Sequence, residues 1–119
     1  MTPWLASAAV LGAIGVTLGA FGAHGLRDRL TPEQLGSWQT AVEYHLLHSV
    51  ALLALALYAS AAERSIGITA GLWTAGIVLF AGSIYGLVLG GPRWLGPVTP
   101  LGGLCLILGW LSLLLFLRR

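Results

Sequence analysis

His24, Glu43, Tyr44, His45, His48, Tyr85 and Arg93 carry most of the chemistry in a chain that is 57% hydrophobic and 8% charged. His45 and His48 stand three apart, so on a helix they share a face, and neutral imidazole is a common metal ligand. Glu43 points about 160° away from His45 on a helical wheel, poorly placed to complete that site and free to pair with an arginine or interfacial water. A structural zinc site takes four ligands, and three histidines with one misdirected acid fall short, so no metal and no cofactor is expected. The same pair suits hydrogen bonds between helices, with Tyr85 as a candidate partner, and this is the preferred expectation. A proton or small-solute pathway and a metal or haem site stay open as alternatives. No acid pair shares a helix face, and neither a Gly-x-Ser-x-Gly elbow nor a phosphate-cradling loop followed by lysine occurs. The chain does not read as an enzyme.

The elements that must hold these residues are set by the scarcity of charge. A soluble domain carries about 25% charged residues, whereas here Trp4–Ala23, Val42–Ala62, Ile66–Gly90 and Val98–Leu117 are almost free of it. A spanning helix needs roughly 20 apolar residues. The expectation is an all-α polytopic membrane protein, one domain over residues 1–119, folded as an up-down bundle of four helices at approximately 4–24, 32–62, 66–90 and 98–117. The first segment has no basic residue before it and exceeds the 7–15 apolar residues of a signal peptide, so it reads as a span. "TPEQ" (Thr31–Gln34) reads as a capping box with Pro32 in the first helical position. Thr99–Pro100 reads as the start of the last helix, and Gly25 as an end to the first. Lone Cys105 excludes a disulfide within the chain. The net charge of +2 suits membrane flanks and gives no case for nucleic acid.

Alternation across the bilayer places His24, Arg27, Arg29, Glu43, Tyr44, His45, His48, Tyr85, Arg93, Trp94 and Thr99 toward one leaflet, and every histidine with them. Glu43 lies near the interface, and His48 sits roughly 7.5 Å farther along the axis. His24, at a helix end rich in unpaired carbonyls, is expected to join the first helix to the second or third. Arginines flank the two sides equally, three against three, which leaves the positive-inside rule without purchase.

Glycine supplies the second pattern. Ala8, Gly12, Gly15, Gly19, Gly22 and Ala23 fall in one arc of the first helix, and Gly67, Gly71, Ala75, Gly82 and Gly86 share a face of the third. In lipid, small residues let backbones approach closely, so both stripes read as contact faces, while Leu57 reads as lipid-facing.

The stretches "LGAFGAHGL", "WQTAVEYHLLHSVALL", "AGSIYGLVLG", "PRWLGPVTPLGG" and the Gly109–Trp110 pair resemble the family of small bacterial inner-membrane proteins known as domain of unknown function 423, related to eukaryotic transmembrane protein 256. The resemblance spans nearly the whole chain. It implies a four-helix multi-pass protein of the bacterial inner membrane and carries no activity, cofactor or residue roles. The expected function is therefore a packing or accessory component, associating with itself or with a larger membrane complex through glycine-rich faces. The alternative is a carrier of protons or a small solute.

Overall fold

The computed structural model describes residues 3–116. Four helices are long and apolar enough to cross a membrane: the first over Pro3–His24, the second over Pro32–Ala62, the third over Gly67–Val88 and the fourth over Leu95–Phe116. Among the described residues there is no strand. The expected end of the fourth helix at residue 117, and Arg118 and Arg119, lie outside the described residues.

The second helix is the hub. Trp38, Ala41, His45, His48, Leu52, Leu55 and Ala59 are all buried, and they recur at alternating steps of three and four. That is the heptad spacing of a helix that meets partners along one seam. Its start follows from the local sequence. The Thr31 side chain accepts from the Gln34 amide at 3.1 Å, and the Gln34 side chain accepts from the Thr31 amide at 3.0 Å, with Pro32 just inside.

The first helix answers with small residues: Ala8, Gly15 and Gly22, seven apart, are its buried positions. A Cβ on Gly22 would stand 2.5 Å from the Trp38 ring, one on Gly15 2.6 Å from Leu46, and one on Gly19 3.1 Å from Val42. These three glycines are therefore where the first and second helices close. Gly12, in the same arc, meets nothing within 4 Å.

The third and fourth helices form the other close pair, but through different glycines from the expected stripe. A Cβ on Gly76 would lie 2.5 Å from Leu106, and Gly102 and Gly109 of the fourth helix lie directly under the Phe80 backbone and the Trp73 ring. Gly67, Gly71 and Gly82 have open space around them, and Gly86 touches only Leu95 at the start of the fourth helix. The physical reason is that Gly67, Gly71 and Ala75 lie across the helix from the buried Thr69, Ala70, Trp73 and Gly76, and beyond them comes a π turn over Ile77–Ala81, in which the Gly82 amide reaches back five residues to the Ile77 carbonyl. One extra residue in the ladder turns everything after it by about 100° relative to a straight wheel. The stripe running from Gly67 to Gly86 is thus not the face that meets the fourth helix.

Two hydroxyl pairs fasten this half, Thr69 to Ser112 and Ser83 to Thr99. Thr99 does not cap the fourth helix, contrary to the expectation. The helix begins at Leu95 and runs through Pro100. Pro97 falls in the first turn, where its missing N–H has no partner to lose, and membrane helices tolerate a further interior proline. Gly90 closes the third helix with φ +92°, a left-handed conformation that glycine adopts without steric cost. Gly25 follows the first helix, but its φ is not positive, and its amide donates to the Phe21 carbonyl at 2.7 Å.

Candidate functional site: a histidine–tryptophan hub on the second helix

His45 and His48 are each only 3% exposed, and both rings are held at both nitrogens. His45 Nε2 lies 2.8 Å from the Leu11 carbonyl oxygen. A carbonyl only accepts, so Nε2 carries the proton, and Nδ1 accepts from the Tyr85 hydroxyl at 2.9 Å. His48 is the opposite tautomer. Its Nδ1–H donates to the Tyr44 carbonyl at 2.8 Å, and its Nε2 accepts the indole N–H of Trp110 at 3.0 Å. One turn of helix therefore carries two imidazoles with reversed protonation, fixed by the Leu11 and Tyr44 carbonyls, which only accept, and by the Trp110 indole N–H, which only donates.

The bonds reach every other helix. His45 ties the second helix to the first and third, and His48 ties it to the fourth. Seven residues before His45, the Trp38 indole N–H donates to the Leu18 carbonyl at 2.9 Å, through the gap that Gly22 leaves. Aromatic rings fill the space between these bonds. Trp38 lies 4.8 Å from Tyr85, Trp73 lies 4.8 Å from Trp110, and His48 meets both Trp73 and Trp110 edge-on near 6 Å. Trp73 is 2% exposed, and its Nε1 has no hydrogen-bond partner among the described residues; it is held by packing over Gly109.

The π turn is what delivers Tyr85. On a straight helix Tyr85 sits about 120° from Trp73 and in line with Val78, which is 58% exposed. The extra residue turns Tyr85 back by about 100°, onto the face of Trp73 that meets the second helix. The His45–Tyr85 bond is the result.

The other polar residues expected in this group are elsewhere. His24 is exposed and no hydrogen bond reaches its ring among the described residues, so it is not a hub. It is the last residue of the first helix, where the following amides of Gly25 and Leu26 already satisfy the Phe21 carbonyl. Glu43 is exposed on the far face of the second helix, as its wheel position requires, and Arg93 is exposed in the third connection. Tyr44 is 45% exposed, with its ring stacked on His48 at 6.3 Å and edge-on to Phe80 at 5.2 Å. Among the described residues no three His, Cys, Asp or Glu side chains converge. Sequence reading passed over Trp38, Trp73 and Trp110 as members of the site. The signal was present for two of them, since a tryptophan deep in a span favours a partner for its N–H, which Trp38 and Trp110 find.

Of five surface clefts, none is lined by His45 or His48. Around the helices Val10, Val16, Leu47, Val50, Leu57, Leu104, Ile107 and Leu114 are between 51% and 67% exposed, the pattern of a surface bathed in lipid.

The family model described as protein of unknown function DUF423 matches residues 18–103. The chain belongs to that family. Its relatives include a UPF0382 membrane protein of Staphylococcus epidermidis, 38% identical over 89% of this chain and 90% of its own length. YwdK of Bacillus subtilis, also a UPF0382 membrane protein, is 41% identical over 87% and 89%. A Schizosaccharomyces pombe UPF0382 membrane protein is 42% identical over 96% and 99%. No solved structure matches the chain. Four spanning helices and these relatives make this DUF423 chain a multi-pass membrane protein. The matched segment starts at Leu18, the residue that accepts from Trp38, and takes in the whole second helix, while Leu11, the partner of His45, lies before it.

Proposed function

We propose that this DUF423 protein is a non-catalytic accessory component of the membrane, a rigid bundle that associates with copies of itself or with a larger membrane complex. The observation that carries this reading is the saturation of the two buried histidines. Both nitrogens of both rings are engaged with other helices or the local backbone, and no cleft among the five touches them. A carrier needs a polar group that can let go of its partner and meet a solute; here the polar groups hold the fold. The outward small residues of the third helix, Gly71, Ala75 and Gly82, then support a contact with another spanning helix, since close approach through small residues is a principal source of affinity in lipid.

Copurification in mild detergent, followed by mass spectrometry of proteins and small molecules, tests this. A stoichiometric membrane partner or a defined homo-oligomer is expected. A monodisperse monomer that moves protons or a solute in proteoliposomes, and loses that activity on His45→Phe, overturns it in favour of a carrier.

A further inference from the structure

The cleft at the head of the second helix is the largest of the five, about 770 Å³, and it follows from unequal helix lengths. The His45–Tyr85 bond sets the second and third helices level at those residues. Running antiparallel, the third helix ends at Val88 opposite about Val42, so Pro32–Ala41 projects roughly 15 Å beyond it at 1.5 Å per residue. On one side the first helix accompanies this projection, held by Trp38 and Gly22. On the other side stands a step.

The two walls of that step differ in chemistry. Glu33, Ser37 and Thr40, at i, i+4 and i+7, form a polar stripe on the projecting helix, and Ile84, Leu87 and Val88 line the wall of the third helix. Hydroxyls and a carboxylate gain nothing by packing against leucine, and an apolar wall gains nothing from water. The projection rises from the hydrocarbon edge into the headgroup layer, so an amphiphile lying along it satisfies both walls at once. Glu33 is the one ionisable side chain in the lining, which selects a cationic group and repels an anionic one. A primary ammonium also has three N–H donors to share between the carboxylate and the Ser37 hydroxyl, whereas a quaternary one has none.

We propose that this cleft binds a phospholipid with a primary-ammonium headgroup of the ethanolamine type, its ammonium on Glu33 and Ser37 and an acyl chain against Ile84, Leu87 and Val88. The phosphate stays in the hydrated headgroup layer, and Thr40 marks the boundary where the chain begins.

Native mass spectrometry of the full chain, stripped of lipid in detergent and offered equimolar ethanolamine, choline and glycerol phospholipids of matched chains, tests the assignment. Ethanolamine adducts are expected to exceed glycerol adducts by about fivefold, the scale of one exposed ion pair. Glu33→Gln should abolish that preference, and it leaves the Thr31–Gln34 capping box intact. Thr40→Trp fills the cleft and should reduce all adducts, with circular dichroism reporting that both variants keep their helices. Equal ethanolamine and glycerol adducts, equal choline adducts, an unchanged preference in Glu33→Gln, or a second copy of the chain in place of lipid would each overturn it.

Discussion

The indole N–H of Trp110 points at the one nitrogen of His48 that carries no proton, 3.0 Å away. The bond joins the second and fourth helices, and its direction is dictated from the other side of the ring, where Nδ1–H is committed to the Tyr44 carbonyl. Protonating His48 at Nε2 would set two donors against each other. His45, one turn earlier, is polarised the opposite way by the Leu11 carbonyl.

Opposite tautomers are the first expected outcome. Long-range proton–nitrogen NMR spectra of the protein in detergent should show His45 protonated at Nε2 and His48 at Nδ1. Matching tautomers, or rapid averaging at either ring, would contradict the hydrogen-bond directions.

Removing single partners should cost little where the bond is one of several, and more where a buried acceptor is stranded. Interhelical hydrogen bonds in membranes average about 0.6 kcal/mol and reach about 1.7 kcal/mol. Tyr85→Phe leaves His45 Nδ1 without its donor, and Trp110→Phe leaves His48 Nε2 without its own. Each is expected to destabilise by about 1 kcal/mol in a detergent unfolding assay, with the two losses adding. A loss near zero for both would mean that packing, not bonding, holds the hub.

The glycines divide into two groups that the sequence alone does not separate. Gly22→Leu and Gly109→Leu place a side chain where Trp38 and Trp73 already lie, and they are expected to lower thermal stability far more than Leu57→Ala, whose leucine is 55% exposed. Gly82→Leu meets open space within the chain. It should leave the melting temperature of the isolated protein within a few degrees of wild type while weakening any assembly. Large destabilisation by Gly82→Leu in monomeric detergent complexes would refute the open surroundings of Gly82 within the chain.

His24→Ala should be silent. The ring is exposed and without a hydrogen bond among the described residues, and surface changes of this kind stay within about 0.5 kcal/mol. A loss above about 1 kcal/mol in the same assay would restore His24 to the hub.

The start of the second helix was fully legible, because a capping box is a local device: Thr31, Pro32 and Gln34 make their contacts within four residues. The four spans were legible for a similar reason, since hydrocarbon imposes one length and one composition on each helix. So was the outward aim of Glu43, fixed by a straight helical period within a single turn. The fourth helix was misjudged by three residues because its prolines sit where a membrane helix tolerates them. The stripe on the third helix was misassigned because a wheel groups small residues without saying which face meets a neighbour, and the placement of Tyr85 has a deeper cause. A wheel assumes that 100° per residue continues, and the π turn at Ile77–Ala81 breaks the count. That turn is not written in any residue nearby. Packing of Tyr85 against Trp38 and its bond to His45 are gained only when the second helix is in place, so the register of the third helix is decided by its neighbour. The same holds for the histidines. Their spacing showed that they share a face, while the identity of each proton depends on Leu11, Tyr85 and Trp110, which lie 34, 40 and 62 residues away along the chain.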